Sequence, residues 1–336
     1  MTQRGELLTF ADDEVIVWRG ADQTRAVDLP PDSEVVVDGV EAVTLPRRGE
    51  LLSRIATVND VHFGETVAGH IDGADEFETF GVPEGAEPYP EVMSRGAVHD
   101  ISQWDPDLVV AKGDLTSNGT MEEYERFSEV WDGAFGDRLM TVRGNHESYN
   151  HLAVDDTPCR ERKLPGVTVA LLDTSRNGHA NGTLTTHQLE WLDELGSRTD
   201  RPVLVFGHHP VWDAAHDERS EHTFGLLPDA TEGLMEVCAR RPQLRGYFAG
   251  HTHRNKVVRV PELPEVPFAE VACVKDYPGS WAEYRVFEGG ILQVHRRIST
   301  PDALAWTETT RQMYAGTYPS YARGRRADRC FEVCRI

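Results

Sequence analysis

Five short clusters of metal-binding side chains are spread along the sequence, each directly after an apolar run. The clusters read Asp60-Val61-His62, Gly113-Asp114, Gly144-Asn145-His146-Glu147, Gly207-His208-His209-Pro210 and Gly250-His251-Thr252-His253. Imidazoles, carboxylates and an amide oxygen together suit Mn, Fe, Zn or Co, whereas calcium sites use oxygen ligands and structural zinc sites use thiolates. The pattern therefore predicts a transition-metal site built from all five clusters.

The number of donors indicates two metal ions. The donors are two carboxylates, one amide oxygen and four imidazoles. Seven donors are too many for one tetrahedral ion, but two ions about 3.5 to 4 Å apart that share a bridging carboxylate would use them. The i, i+2 spacing within the first and the last cluster lets both side chains of each pair point to the same side of an extended backbone.

The predicted secondary structure brings these clusters together. From Arg54 the sequence alternates apolar runs with amphipathic segments, which is typical of an α/β fold. The predicted strands are residues 54–59, 107–112, 138–142, 167–173, 202–207 and 244–249, followed by 256–261, 268–273, 282–287 and 291–297; the predicted helices are 89–103, 121–133, 185–197 and 231–241. Side chains at the carboxyl ends of parallel strands converge on one crevice, which is where open α/β sheets bind ligands.

Each cluster taken alone has an ordinary explanation. Asn and His after Gly are common turn residues, and a buried histidine more often satisfies a core hydrogen bond than binds a metal. Five clusters at five strand ends favour the metal site. The long connections 64–90 and 211–227 are candidates for the rim of a substrate site, and we expect His216 and His222 in the second of them to be solvent exposed.

The order of the clusters resembles the calcineurin-like metallophosphoesterase superfamily. Its signature is Asp-x-His, Gly-Asp, Gly-Asn-His-(Asp/Glu), His and Gly-His-x-His, which this chain matches over about residues 54–253. The motif Gly113-Asp114-Leu115-Thr116 is most similar to that of the branch that includes bacterial cyclic-nucleotide and glycerophosphodiester phosphodiesterases. The resemblance implies a four-layer α/β/β/α sandwich and two metal ions, which would be Fe, Mn or Zn.

The resemblance also implies a role for each matched residue. Asp60, His62 and His253 would hold the first metal, Asp114 would bridge the two metals, and Asn145, His208 and His251 would hold the second. His146 would stay free of metal as the catalytic residue, and His209 would be structural. The sequence departs from many relatives at Ser117, where they have an acid, and at Glu147, where they have an aspartate. Neither position is a ligand, so the predicted mechanism is unchanged.

The predicted function is hydrolysis of a small phosphodiester or phosphomonoester by a metal-bridging hydroxide, with His146 either protonating the leaving alkoxide or contacting the phosphoryl oxygen. Two alternatives stay open: a metal-binding scaffold without catalytic activity, and a nuclease or protein phosphatase that acts on a macromolecule. The presence of all seven expected ligands and of His146 argues against the scaffold. The net charge argues against the macromolecular substrate, as does the length of the connections that could close over a small site.

Composition restricts the partners and the compartment. A net charge of −22 and a pI near 5.0 argue against nucleic-acid binding, which depends on Lys and Arg. The apolar runs are strand-sized, so no membrane partner is expected. Five cysteines, an odd number, favour reduced thiols, and the first residues lack the apolar core of a secretion signal. The cytoplasm is the predicted location.

Three regions are predicted along the chain: a small β appendage over residues 1–50, the metallophosphoesterase domain over 51–300 and a C-terminal extension over 301–336. The extension contains an arginine cluster, formed by Arg323, Arg325, Arg326 and Arg329. We expect this cluster to be a solvated surface or a subunit contact in an oligomer, with an anion-binding patch as the less favoured alternative.

Overall fold

The computed structural model of the protein describes residues 5–70 and 77–336. The strands are β1 (Leu7–Phe10), β2 (Val15–Arg19), β3 (Asp22–Ala26), β4 (Glu34–Val37), β5 (Val40–Val43), β6 (Leu51–Val58), β7 (Val67–Ala68), β8 (Phe80–Gly81), β9 (Leu108–Lys112), β10 (Leu139–Val142), β11 (Cys159–Leu164), β12 (Val167–Leu172), β13 (Val203–Phe206), β14 (Leu244–Ala249), β15 (Lys256–Val258), β16 (Phe268–Glu270), β17 (Ser280–Phe287), β18 (Gly290–Arg297) and β19 (Phe331–Arg335). The helices are α1 (Tyr89–Trp104), α2 (Met121–Phe135), α3 (Asn145–Tyr149), α4 (Thr186–Arg198), α5 (Pro228–Arg240), α6 (Pro301–Thr310), α7 (Met313–Gly316) and α8 (Tyr318–Ala322). Every strand and helix predicted between residues 54 and 297 is present, with bounds that differ by a few residues.

Two six-stranded sheets carry the fold. The first has the order β10-β9-β6-β17-β18-β19 and the second has the order β11-β12-β13-β14-β16-β15. In the first sheet β6, β9 and β10 run parallel, and in the second β12, β13, β14 and β16 run parallel. Parallel neighbours end at the same edge of their sheet, so the loops that follow them lie side by side.

The sheets pack face to face, and helices cover their outer faces. Val110 of the first sheet and Phe206 of the second belong to one buried cluster between the sheets. On the outer face of the first sheet, Phe127 of α2 lies in a cluster with residues of α1 and of the strands, and on that of the second, Leu192 of α4 clusters with Leu234 of α5. Burial of such side chains stabilises the fold by about 1.5 to 3 kcal/mol each. The predicted four-layer α/β/β/α sandwich is confirmed.

Helix α4 begins at a capping box, in which the N-cap and N3 residues bond to each other's backbone. Thr185 Oγ1 accepts a hydrogen bond from the Gln188 backbone N–H at 3.3 Å, and Gln188 Oε1 accepts one from the Thr185 N–H at 2.9 Å. Gln188 Nε2 also donates to the Asp173 carbonyl at 2.6 Å, which fastens the helix to the end of β12. Local sequence thus determines both where this helix starts and what it packs against.

The segments before β6 and after β18 pack on the first sheet. In the N-terminal segment, Asp12 forms an ion pair with Arg285 at 2.6 Å, and Glu14 forms one with Arg296 at 2.6 Å. At the other end, β19 pairs with β18 and completes the first sheet. The division of the chain at residues 50 and 300 stays a proposal.

Within the described ranges, no helix has the length and apolar composition to cross a membrane.

The arginine cluster of the C-terminal segment is not uniformly solvated. Arg329 is buried and donates to the carbonyls of Arg323 at 2.8 Å and Gly324 at 3.1 Å, so the predicted solvated surface is wrong for this residue. Arg325, in contrast, is exposed and pairs with Asp328. The carbonyl groups that surround Arg329 come from an irregular turn, which sequence periodicity does not predict.

Candidate metal centre

Five strand ends, three from the first sheet and two from the second, place the predicted donors at one edge of the sandwich. The donors follow β6 (Asp60, His62), β9 (Asp114), β10 (Asn145), β13 (His208) and β14 (His251, His253). The two sheets bring these groups within a few ångströms of one another although almost 200 residues separate the first from the last. The convergence expected from parallel strand ends is therefore present in the fold.

The donors near β6 form one group. His253 Nε2 lies 3.5 Å from Asp60 Oδ1, and donor atoms of Asp60, His62 and His253 all lie within 4.8 Å of one another. Asp60 is fully buried, and its carboxylate accepts the backbone N–H of His251 at 3.0 Å and the side-chain amide of Asn59 at 2.5 Å. These hydrogen bonds fix the carboxylate, which leaves its remaining lone pairs for a cation.

A second group surrounds Asn145 and His208. His208 Nε2 lies 3.1 Å from Asn145 Oδ1 and 3.3 Å from Asp114 Oδ2. Asp114 Oδ2 is also 3.5 Å from His62 Nε2, so this carboxylate stands between a donor of the first group and a donor of the second. The arrangement is the one that a bridging ligand requires.

Buried nitrogen atoms without partners indicate that the site is built for metal. Among the described residues, His62 Nε2 and both ring nitrogens of His251 are buried and accept or donate no hydrogen bond. Unpartnered buried polar atoms are rare in folded proteins, because desolvation costs about 1 to 3 kcal/mol per group. Neutral imidazole nitrogens with carboxylate and amide oxygens around them fit one or more transition-metal ions.

His209, the neighbour of His208, is also buried here. Its Nδ1 lies 2.8 Å from Thr174 Oγ1, whereas its Nε2 has no hydrogen-bond partner in the described part of the chain. His209 forms a potential ligand cluster with His208 and His251. Only His208 has short contacts to Asp114 and Asn145, and this difference separates the two adjacent histidines.

Five of the donor residues adopt a left-handed backbone conformation. The φ angle is 52° at Asp60, 49° at His62, 51° at Asp114, 72° at His251 and 56° at His253. Positive φ is uncommon for residues other than glycine and costs on the order of 1 to 3 kcal/mol when the surrounding structure enforces it. Its concentration at these residues shows that the loops are shaped for side-chain placement, a signal that residue types do not reveal.

Gly144 permits the close approach of two loops. A Cβ atom at this position would overlap the Asp114 carboxylate and backbone. With glycine, the backbone N–H of His146 reaches Asp114 Oδ1 at 3.0 Å. The glycine thus lets the Asn145 loop pack directly on the Asp114 loop.

Burial and neighbouring charge give the donors different pKa values and therefore different protonation states. Burial alone would raise the pKa of Asp114, but the charges of His208 and His146 outweigh it and hold this pKa well below its usual range. Burial alone would lower the pKa of His208, but Asp114 raises it to about 9. Burial lowers the pKa of His62 to about 4 and that of His251 to about 3. At neutral pH the last two are therefore neutral imidazoles, the form that binds metal.

Lys112 links the two sheets directly beneath the donors, a contact that residue types alone did not indicate. It is fully buried, and its Nζ donates to the Ala249 carbonyl at 2.7 Å, at the end of β14. Its own carbonyl accepts from His208 Nδ1 at 2.8 Å, which turns His208 Nε2 toward Asp114. Burial lowers the pKa of Lys112 to about 7.

Glu147 has no metal-facing role in the structure but joins two donor loops. Its Oε1 accepts from Thr116 N at 2.7 Å and Thr116 Oγ1 at 2.6 Å, and its Oε2 accepts from Gly144 N at 2.7 Å. The carboxylate is fully buried. Sequence gives one clue to this role, because an acid three residues after an N-cap position commonly bonds back to the backbone.

We expect Glu147→Ala to lower the free energy of unfolding of the metal-free protein by about 3 kcal/mol, since it leaves buried N–H groups of Thr116 and Gly144 without acceptors. Urea denaturation measures this change. Glu125→Ala, on the exposed face of α2, is the control and should change stability by at most about 0.5 kcal/mol. A Glu147 variant as stable as this control would contradict the role.

His146 lies beside the donors with one ring nitrogen anchored and the other directed to the site. Its Nδ1 contacts the Ser117 carbonyl at 2.5 Å, which requires a proton on Nδ1, and its Nε2 lies 4.0 Å from Asp114 Oδ2. The ring packs edge-on against His62, with centroids 4.3 Å apart, and 30% of the side chain is exposed. The partly exposed His146 side chain can therefore contact a bound ligand.

The connection 211–227 reaches the edge of the site. The ring of Phe224 packs on the ring of His251 with centroids 4.2 Å apart, yet Phe224 is 60% exposed. His216 and His222 are exposed, as expected. For the connection 64–90, residues 71–76 lie outside the described residues. Phe224 thus lies at the edge of the donor group, and the substrate rim expected there stays a prediction.

Fold and donor set together define a metal-dependent hydrolase of phosphoester bonds. Residues 53–255, more than half of the chain, match the profile of the calcineurin-like phosphoesterase family. The chain therefore belongs to the calcineurin-like phosphoesterase family, whose members use a dinuclear metal centre.

Relatives and solved structures are consistent with this assignment. The chain is 30% identical over 252 residues to the probable glycerophosphodiester phosphodiesterase GpdQ of Arcobacter nitrofigilis, which covers 64% of this chain and 82% of that protein. It is 28% identical to the 3',5'-cyclic adenosine monophosphate phosphodiesterase CpdA of Escherichia coli, with coverage of 63% and 74%. The crystal structure of a dimetal phosphatase from Danio rerio superposes with a TM-score of 0.58 at 17% identity, covering 74% of this chain and 97% of that chain. At that identity the superposition shows the fold alone.

Proposed function

We propose that the protein hydrolyses small phosphodiesters or phosphomonoesters at a centre of two metal ions. The observation that carries the proposal is the position of Asp114, whose Oδ2 lies 3.5 Å from His62 Nε2 and 3.3 Å from His208 Nε2. One carboxylate between two sets of donors suits a dinuclear site better than a mononuclear one.

The proposed ligand sets follow the two groups of donors. Asp60, His62 and His253 would hold the first metal, Asp114 would bridge, and Asn145, His208 and His251 would hold the second metal. Support for His208 rather than His209 comes from its contacts to Asp114 and Asn145. Fe, Mn and Zn all accept this mixture of nitrogen and oxygen donors.

His146 is the proposed catalytic residue. When bound, two divalent cations would supply an activated water and neutralise charge on the phosphoryl group. His146 Nε2 is accessible beside the donors, while the Ser117 carbonyl holds the proton on Nδ1. As an imidazolium, His146 can donate its Nε2 proton to the leaving alkoxide, which converts a poor leaving group into an alcohol.

A small substrate is favoured over a macromolecule. The relatives named above are phosphodiesterases for glycerophosphodiesters and for a cyclic nucleotide. The net charge of −22 disfavours the approach of a polyanion, and Phe224 narrows the edge of the site. The proposal includes the cytoplasm as the compartment, supported by five cysteines that are all free thiols.

A substrate panel with defined metals tests the function. Chelator-treated protein should be inactive, and Mn²⁺, Fe²⁺ or Zn²⁺ should restore hydrolysis of at least one of four substrates: an aryl monoester, an aryl diester, cyclic AMP and a glycerophosphodiester. Failure with every metal on every substrate, in protein shown to bind two ions, would favour the non-catalytic scaffold. Hydrolysis of single-stranded DNA or a phosphoprotein in preference to the panel would favour the macromolecular alternative.

Asn145→Ala should weaken the second metal selectively. The variant removes the amide oxygen from the proposed ligand set. The loss of affinity for the second metal should exceed the ~10- to 100-fold effect that is typical of residues behind the ligands. Elemental analysis after gel filtration should find close to one ion per chain instead of two. Two tightly held ions in this variant would refute the assignment of Asn145 as a ligand.

A further inference from the structure

A buried group of three charged side chains lies behind the first set of donors. Glu65 follows the Asp60 cluster by a few residues, and Lys275 and Asp276 follow β16, which neighbours β14 in the second sheet. Lys275 and Asp276 are nearly fully buried, and the Glu65 side chain is 18% exposed. None of the three belongs to the five clusters that the sequence pattern singled out.

Charges in this group are paired with one another. Lys275 Nζ forms an ion pair with Glu65 and lies 3.8 Å from Asp276 Oδ2. The chain contains only four lysines, and burial of a charged amine is costly unless acids surround it. Trp306 Nε1 donates to the Lys275 carbonyl at 2.9 Å and so fixes the backbone of this lysine.

Each acid of the group approaches one histidine of the first ligand set. Glu65 Oε2 lies 3.5 Å from His62 Nδ1, and the buried His62 Nε2 on the opposite side of the ring has no hydrogen-bond partner in the ranges described. Asp276 has a carboxylate oxygen within 4.8 Å of a ring nitrogen of His253, and its Oδ1 is buried without a hydrogen bond. Both acids are therefore available to the imidazoles.

We propose that Glu65, Lys275 and Asp276 form a positioning network that orients His62 and His253 toward the first metal. Glu65 accepts the Nδ1–H of His62, which leaves the Nε2 lone pair to face Asp114 and the metal. Asp276, with a carboxylate oxygen within 4.8 Å of a ring nitrogen of His253, would orient that histidine in turn. Lys275 balances the two acids so that both can lie next to each other in the interior. The proposal rests on the function proposed above, because it assumes that these histidines bind metal.

The network explains a difference between the two halves of the centre. In the second ligand set, His208 is oriented by a backbone carbonyl, that of Lys112 at 2.8 Å. In the first set, the side-chain carboxylates of Glu65 and Asp276 orient the histidines instead. Carboxylates behind a ligating histidine raise its basicity as well as fix its tautomer, and their removal typically costs about 10- to 100-fold in metal affinity. The first metal should therefore depend on Glu65 more than the second does.

Metal titration of Glu65 variants tests the network. In the Asn145→Ala background, where the second metal is weakened, chelator competition with Mn²⁺ should show about 10- to 100-fold weaker binding in Glu65→Leu. Glu65→Gln retains an oxygen acceptor for His62 Nδ1–H and should recover most of this loss. Lys256→Met is the matched control, because Lys256 pairs with Asp213 at 2.8 Å outside the ligand groups, and it should bind Mn²⁺ as the parent does.

A second measurement covers the case in which Glu65→Leu does not fold. In metal-free protein, ¹⁵N chemical shifts of imidazole report the tautomer, and the His62 signals are identified by their absence in His62→Asn. The His62 Nδ1–H form should dominate in the parent and in Glu65→Gln, and become a mixture in Glu65→Ala or Lys275→Met. Suppose that two ions bind to the unmodified protein, but the variants change neither the His62 tautomer nor the Mn²⁺ affinity. That result would overturn the network. Absence of metal binding in the unmodified protein would instead refute the proposed function itself.

Discussion

Asp114→Asn should abolish measurable hydrolysis and release both metals. The substitution keeps the shape of the side chain but removes the negative charge between His62 and His208. A metal ion contributes several kcal/mol of charge stabilisation to phosphoryl transfer, and a loss of about 4 kcal/mol corresponds to about a 10³-fold slower reaction. Because both ions depend on this carboxylate, we expect kcat/KM to fall by at least that factor. Elemental analysis should find well below one ion per chain.

The same substitution outside the centre provides the control. Asp213 is buried and pairs with Lys256 and with His216, both at about 3 Å, so Asp213→Asn also removes a buried, paired charge. It should lower stability without loss of metal. Asp60→Asn should release one ion only, since Asp60 belongs to the first set. If Asp114→Asn retained two ions, the bridging role and the dinuclear arrangement proposed here would both be wrong.

The residue pattern was sufficient to predict an α/β fold and the convergence of the donors, whereas the sandwich was implied by the family resemblance. Each donor cluster lies at the end of an apolar strand, and parallel strands of one sheet end at the same edge, so Asp60, Asp114 and Asn145 could be placed together without a structure. The family resemblance supplied the division into two ligand sets, and the geometry of Asp114 supports that division. The ligand roles themselves stay a proposal.

Contacts behind the donors could not be predicted in this way. Lys112 bonds to Ala249 across the two sheets, and Lys275 pairs with Glu65 from a loop more than 200 residues away. Such pairs have no fixed spacing in sequence, because they depend on how two separate sheets pack. The left-handed backbone at His251 could not be predicted either, because the residue type does not determine it.

The departure at Ser117 illustrates why a substitution next to a motif can be harmless. Many relatives have an acid at this position, but here the backbone carbonyl of Ser117 is the group that contacts His146 Nδ1. A backbone group is retained whatever side chain is present. The structure thus provides a physical reason to expect His146 to act in this chain.

His146→Ala should slow the hydrolysis of substrates with poor leaving groups by about 10² to 10⁴-fold while both metals stay bound. Its ring is not required by either ligand set, and its Nε2 is 4.0 Å from the Asp114 carboxylate. An alkoxide leaving group needs a proton as the P–O bond breaks, whereas a p-nitrophenolate leaves readily without one. Glycerophosphodiester hydrolysis should therefore suffer much more than hydrolysis of bis(p-nitrophenyl) phosphate.

A series of diesters with leaving groups of graded acidity separates proton donation from other roles of His146. In the variant, the plot of log kcat/KM against leaving-group pKa should become steeper, because charge on the leaving oxygen is no longer neutralised. Ser117→Ala leaves the carbonyl that anchors His146 in place, so this control should retain the parent slope. Equal losses across the series would indicate that His146 binds the phosphoryl group rather than protonates the leaving oxygen. An unchanged metal content is needed in every variant, because a lost ion would slow all substrates for a different reason.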